Sequence, residues 1–201
     1  MTDALQALLV STGVVALAEI GDKTQLLALV LAAKYRKPVP IILGIFVATL
    51  LNHALAGAVG AWVAAAVGPD WMRWILGVSF IAMAAWILVP DKVDDGEAVA
   101  SPRRGVFLAT LFAFFLLEMG DKTQIATVAL AAQYASLWAV VAGTTLGMMI
   151  ANVPAVLLGE VAATKLPMRL VHGIAAVLFL LLGILVLSGV GGLARFFLNF
   201  A

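Results

Sequence analysis

The chain has 201 residues, 64% of them hydrophobic and only 11% charged, with a mean hydropathy of +1.13; a soluble domain is roughly 45–50% apolar. A net charge of +1 without a long basic run gives no footing for nucleic acid, and the absence of cysteine excludes both a disulfide framework and a thiolate metal site. The few charges cluster, so that 38–69, 123–159 and 170–194 carry none, each stretch sufficient for a bilayer-crossing helix of about 20 residues.

Six membrane-spanning helices are predicted, at 5–33, 39–66, 72–89, 105–132, 137–160 and 170–189. The first apolar run is preceded by Asp3 but by no Lys or Arg, unlike the charged start of a secretory signal, so this helix is expected to be retained. It contains Glu19-Ile20-Gly21-Asp22-Lys23-Thr24-Gln25, and the second span contains Asn52 and His53. After the third span, 91–104 forms the one sizeable polar loop, with Asp94, Asp95, Gly96 and Glu97 together, and reads as a flexible linker between halves 1–90 and 105–201. The fourth span holds Glu118-Met119-Gly120-Asp121-Lys122-Thr123-Gln124; the fifth holds Asn152 and ends near Glu160, read as a solvated helix terminus. The sixth starts beside His172, read as interfacial, and Arg195 with Phe196, Phe197 and Phe200 reads as a tail on the outer interface.

A shift of 99 positions superimposes the two seven-residue motifs, with Met119 in place of Ile20, and brings Leu31-Ala-Ala-Lys-Tyr35 onto Leu130-Ala-Ala-Gln-Tyr134. Gly44 meets Gly143, Gly60 meets Gly159, and Met72-Arg73 resembles Met168-Arg169 after a three-residue deletion. This is an internal repeat of three spans, and an odd number of spans sends the second copy into the membrane from the opposite side. The expected fold is therefore all-α, six transmembrane helices in two inverted three-helix repeats. Lys34, Arg36, Lys37, Lys92, Arg103, Arg104, Lys165 and Arg169 fall on one side of this arrangement and Arg73 and Arg195 on the other, which puts the first side in the cytoplasm and both termini outside. Trp62, Trp71, Trp74 and Trp138 lie near the outer span ends, as an interfacial aromatic belt requires.

The chemistry sits in the motifs. Six central charges at about 2.5–3.5 kcal/mol each oppose insertion by ~15–20 kcal/mol unless they are paired, protonated or ion-bound. On a continuous helix Glu19, Asp22 and Lys23 share one face, as do Glu118, Asp121 and Lys122. Four carboxylates then converge near the midplane, the two lysines offset two charges, and a divalent cation offsets the rest. Gln25 and Gln124 flank the acids with amide oxygens; Thr24 and Thr123 point elsewhere unless Gly21 and Gly120 break the helices and free carbonyls as ligands. Such oxygen ligands suit Mg²⁺, Ca²⁺ and Mn²⁺. The bland alternative makes each motif a self-contained Glu-Lys lock, Glu19 with Lys23 and Glu118 with Lys122, which leaves the adjacent aspartates without a purpose. Asn52, His53 and Asn152 are candidate pathway residues, although Asn in a membrane helix often only bonds a neighbouring helix, and a His relays protons near neutral pH. Glycines 44, 57, 60, 143, 147 and 159 read as packing residues.

The paired Glu-x-Gly-Asp-Lys-Thr motifs resemble the signature of the Gdt-type cation exchanger family, which includes Golgi manganese and calcium transporters and bacterial manganese exporters. The resemblance extends over essentially the whole chain. It implies that Glu19, Asp22, Glu118 and Asp121 bind the cation, with Lys23, Thr24, Lys122 and Thr123 as motif neighbours. It further implies a multi-pass protein of the bacterial inner membrane that exports Mn²⁺, or Ca²⁺, in exchange for protons, with no catalytic residues and no cofactor beyond the transported metal. Its partners are then the lipid bilayer, the metal ion and protons as counter-ion, and a homo-oligomer is compatible with all of these. Glu19 and Glu118 are the expected proton carriers, since glutamate binds a proton slightly more readily than aspartate. Two rival functions use the same acids: export of a cationic organic solute, or an intramembrane metal-dependent enzyme. No His-Glu-x-x-His run or Gly-x-Ser-x-Gly turn supports the second.

Overall fold

A computed structural model of the chain describes residues 3–67, 69–89, 105–158 and 168–188. Among these, the backbone forms eight helices and no strand: α1 (Asp3–Glu19), α2 (Lys23–Tyr35), α3 (Pro38–Ala66), α4 (Pro69–Ile87), α5 (Val106–Leu117), α6 (Lys122–Gln133), α7 (Leu137–Leu158) and α8 (Met168–Leu187). The linker 91–104, Gly159, Glu160, Lys92, Arg103, Arg104, Lys165, the tail with Arg195, Phe196, Phe197 and Phe200, and the side chain of Arg169 lie outside the described residues.

The continuous helices expected at 5–33 and 105–132 are each interrupted at the motif. Gly21 and Gly120 adopt φ of 85° and 79°, the left-handed region that glycine enters without steric penalty and that an α-helix cannot contain. The break bends α1 against α2 by 70°. Elsewhere local chemistry ends helices where the sequence suggests: Arg36 takes φ 51° and returns its N–H to the Ala32 carbonyl at 2.9 Å, and Pro38 opens α3.

α3, with 29 residues, and α7, with 22, are long and apolar enough to cross a bilayer, and α1 and α2 reach that length and hydropathy together, as a broken span or a re-entrant loop. The apolar parts of α4, α5 and α8 (Trp71–Ile87, Val106–Leu117 and His172–Leu187) are shorter. Leu43, Leu50, Leu55 and Val59 of α3 and Leu146, Ile150 and Leu157 of α7 are exposed, as expected where the surrounding solvent is hydrocarbon. Trp62, Trp71, Trp74 and Trp138 are exposed as well.

Helices α3 and α7 cross at the centre. α1 and α2 pack on α7, α5 and α6 pack on α3, and α4 pairs with α8 while also touching α6, as α8 touches α1. Small residues permit these approaches, because apolar burial gives no drive between helices in lipid and close van der Waals packing must take its place. A Cβ on Gly143 would stand 2.5 Å from the Leu8 carbonyl of α1, and one on Gly147 2.7 Å from that of Thr12. Gly44 and Gly57 seat α5 and the start of α7 against α3 in the same way, and Gly60 admits the Val128 carbonyl of α6. These five glycines have the packing role expected of them.

Replacing Gly143 by Val should destabilise the protein by about 1–3 kcal/mol, the range for overpacking a close contact. Gly13→Ala, on the facing helix but with nothing within 4 Å of the added Cβ, should be neutral or slightly stabilising. Thermal unfolding of both variants in detergent tests the difference.

Candidate cation site

The same local fold is built twice. The residue after each glycine, Asp22 or Asp121, has extended dihedrals (−78°, 166° and −77°, 167°) and stands at the N-cap of α2 or α6. Its amide N–H bonds the carbonyl of Glu19 at 3.1 Å or of Glu118 at 3.0 Å. The glutamine three residues on folds back as in a capping box: Gln25 Oε1 accepts from the Gly21 N–H at 3.0 Å and Gln124 Oε1 from the Gly120 N–H at 2.7 Å. An N-cap aspartate normally accepts from its own helix, yet neither Asp22 nor Asp121 makes a side-chain cap bond. Their carboxylates turn instead toward the other motif.

There each meets a lysine. Lys23 Nζ lies 3.7 Å from Asp121 Oδ1, and Lys122 Nζ lies 3.8 Å from Asp22 Oδ1. The pairing is reciprocal and runs between motifs, which corrects both the expectation that Glu, Asp and Lys of one motif share a helical face and the bland Glu19–Lys23 and Glu118–Lys122 lock. The i, i+4 geometry behind both applies only to unbroken helix. The two lysines differ in access: Lys122 is buried, whereas the Lys23 side chain is 26% exposed.

Glu19, Asp22 and Asp121, all buried, each offer a carboxylate oxygen, and these lie within 4.8 Å of one another. Three carboxylates so close repel strongly when ionised in a poorly solvated interior, so protons or a cation must offset what the lysines leave, and the group has the ligand type and spacing for a divalent metal. Glu118 is buried beside them but outside this trio, because α3 holds it: Thr49 Oγ1 donates to Oε1 at 3.1 Å and Asn52 Nδ2 to Oε2 at 3.3 Å. Asn52 also donates to the Phe115 carbonyl at 3.0 Å, just before the second break. Glu19 Oε2 accepts from Thr24 Oγ1, which the break brings round to it.

Gln25 donates to the Ala151 carbonyl of α7 at 3.0 Å, which fixes the first motif to that helix. Neighbouring Asn152 is fully buried, with Nδ2 on the Met148 carbonyl at 3.1 Å and an Oδ1 that has no hydrogen-bond partner. Thr123 is buried, with its side chain close to the Glu19 carboxylate. His53 is buried too, but neither ring nitrogen has a hydrogen-bond partner among the described residues, so no bonded path joins it to the acids. One residue of the site, Thr49, escaped the sequence reading. It lies one helical turn before Asn52, and that spacing was the available signal. His172, expected at an interface, lies with Nε2 3.0 Å from the Ile20 carbonyl.

The family model of the divalent cation/proton antiporter GDT1 matches the chain in two segments, residues 7–95 and 106–191. A protein of Vibrio cholerae serotype O1 named "Putative manganese exporter" is 55% identical over 181 residues, 90% of each chain. GDT1-like protein 3 of Oryza sativa subsp. indica is 28% identical over 198 residues, 87% of this chain and 71% of its own. A GDT1-like protein of Synechocystis is 29% identical over 189 residues, 85% of this chain and 91% of its own. No solved structure matches the chain.

At Gly120 an added Cβ meets nothing within 4 Å, so substitution there probes the backbone alone. Gly120→Ala should cost about 1–2 kcal/mol, the penalty of left-handed backbone for an L-residue, and Gly120→Asn less. Denaturation midpoints of the two variants, compared with wild type in the same detergent, check the order.

Proposed function

The chain belongs to the divalent cation/proton antiporter GDT1 family, and on that premise we propose that it exports Mn²⁺ from the cytoplasm in exchange for protons, with Ca²⁺ as the second candidate cargo. The observation that carries this reading is the buried trio Glu19, Asp22 and Asp121, drawn from both motifs within 4.8 Å. Such spacing suits one small multivalent ion and leaves little room for the organic cation of the rival reading. The name of the Vibrio relative favours manganese, and hard oxygen donors accept it readily. The protein acts as a transporter, and its acids serve as ligands rather than as groups of an enzyme.

In this reading Glu19, Asp22 and Asp121 hold the cation and Glu118 joins them when it leaves Thr49 and Asn52. Thr24 and Thr123 supply hydroxyl oxygens, Gln25 and Gln124 fix the turns, and Asn52 and Asn152, the latter with an Oδ1 that has no hydrogen-bond partner among the described residues, line the path. The carboxyl-terminal ends of α1 and α5 meet the amino-terminal ends of α2 and α6 at the site, so the helix dipoles oppose one another and the carboxylates carry the attraction for a cation. Four carboxylates against Lys23 and Lys122 leave two negative charges, which a divalent ion neutralises on entry and protons neutralise on the return. Glu19 and Glu118 carry those protons. No bonded path favours a part for His53.

We assign the chain to a bacterial inner membrane as six spans in two inverted repeats, 1–90 and 105–201, joined by the cytoplasmic linker 91–104, with both termini outside. The matching dihedrals of the two motifs, the reciprocal ion pairs and the two-segment family match support this. Lys34, in the last turn of α2, and Arg36 and Lys37, just after it, fall at the end of the helix that the assignment makes cytoplasmic.

Two experiments test the proposal. Glu19→Gln should abolish Mn²⁺ resistance in cells while leaving membrane-inserted protein at wild-type levels; Asp121→Asn should abolish resistance too, with less inserted protein because Lys23 loses its counter-charge; tolerance equal to wild type in either would contradict the ligand assignment. In inside-out vesicles, with Mn²⁺, Ca²⁺ and Mg²⁺ offered separately, an acid lumen should accelerate Mn²⁺ uptake and its dissipation should slow it. Uptake indifferent to the gradient removes the proton coupling, and displacement of bound substrate by millimolar arginine but not by Mn²⁺ would favour the organic cation.

A further inference from the structure

We infer that His172 is a positioning residue for the cation site, fixing the first motif through the Ile20 carbonyl. The inference rests on the transport reading above and deepens it. Ile20 follows the last residue of α1, so its carbonyl belongs to a helix end whose acceptors lack intrahelical donors. In an apolar bundle such an acceptor needs a donor from elsewhere in the protein. α8 packs against α1, and from it His172 Nε2 approaches the Ile20 oxygen to 3.0 Å. A carbonyl only accepts, so Nε2 carries the proton of this bond.

Ile20 is also placed to transmit a displacement. It stands two positions before the ligand Asp22, and the residue between, Gly21, is the left-handed hinge of the break. Gln25 holds the hinge by its N–H, and His172 holds the peptide before it by its oxygen. With both ends of that peptide link tethered, Asp22 keeps one orientation toward Glu19 and Asp121. With the oxygen released, the hinge can turn and the Ile20 carbonyl itself can swing toward the cation.

The arrangement belongs to one half only. The repeat match of Met72-Arg73 to Met168-Arg169 aligns His172 with Leu76, a buried apolar side chain that offers no donor. Correspondingly, Met119 at the second break is 58% exposed. The second motif is held through Asn52 on the Phe115 carbonyl instead, so the two half-sites are anchored from different helices.

The test uses two polar replacements in the full-length protein, because an apolar one could prevent folding. Glutamine places an amide N–H near the position of the imidazole Nε2, whereas asparagine reaches only as far as Nδ1. In proteoliposomes, His172→Gln should keep the wild-type KM for Mn²⁺. His172→Asn should raise it about five- to tenfold, the equivalent of one lost hydrogen bond, with maximal rate per inserted protein changed much less. A merely structural role would reduce the amount of active protein and leave KM alone. Equal KM values in wild type, Gln and Asn variants overturn the inference while leaving transport intact. A wild type without Mn²⁺ flux, in contrast, overturns the transport reading itself.

Discussion

Six ionisable side chains must be kept in an apolar, lipid-facing bundle, and the protein meets that constraint by exchanging counter-charges between its halves. Lys23 faces Asp121 and Lys122 faces Asp22 at 3.7 and 3.8 Å. A buried pair of this kind adds little net stability, because desolvation consumes much of the Coulomb gain, but removing one partner leaves a buried charge uncompensated, at about 3–5 kcal/mol. The pairs therefore act as a condition of assembly. They also leave an anionic surplus, since the glutamates add two carboxyls that no lysine answers, and this surplus gives the site its appetite for a cation.

The broken helices follow from the same constraint. Were 5–33 and 105–132 continuous, each lysine would lie nearest the glutamate of its own motif and the aspartates would compete for it. Left-handed glycines at 21 and 120 turn α2 and α6 away, aim the N-cap aspartates across the interface, and bring Thr24 back onto Glu19. The turn is inexpensive because the peptide groups it exposes are re-bonded locally, the glycine N–H groups by Gln25 and Gln124. Around it, glycines of α3 and α7 let the half-helices sit close enough for the pairs to form. Motif and scaffold are thus matched: close packing fixes the distance, and the break fixes the direction.

How much of this the sequence discloses depends on range. Helical character, the repeat and the packing glycines are written in local periodicity and in self-similarity, and these were legible. That the charges gather was legible too, since no other disposition suits them in lipid. Their partners were not, because i, i+4 spacing offers Lys23 a partner four residues away, while the actual one lies 98 positions on. The separation of Glu118 from the other three acids was equally hidden: it depends on Thr49 and Asn52 of α3, and nothing local marks that contact. His172 shows the limit most sharply. Read by position alone it belongs at an interface; only the helix end it serves, far away in the chain, gives it a purpose.

The reciprocal pairing is self-complementary in the manner of an isologous contact, where patch i meets j and j meets i. Two identical copies of one half, associated about a two-fold axis, would satisfy the same pair of contacts with no linker at all. Fusing the copies into one polypeptide preserves that closure while lifting the requirement that both remain alike. Leu76 and His172, or Ile20 and Met119, are then examples of the freedom that fusion grants: the supports can diverge while the charged residues of the two motifs stay identical.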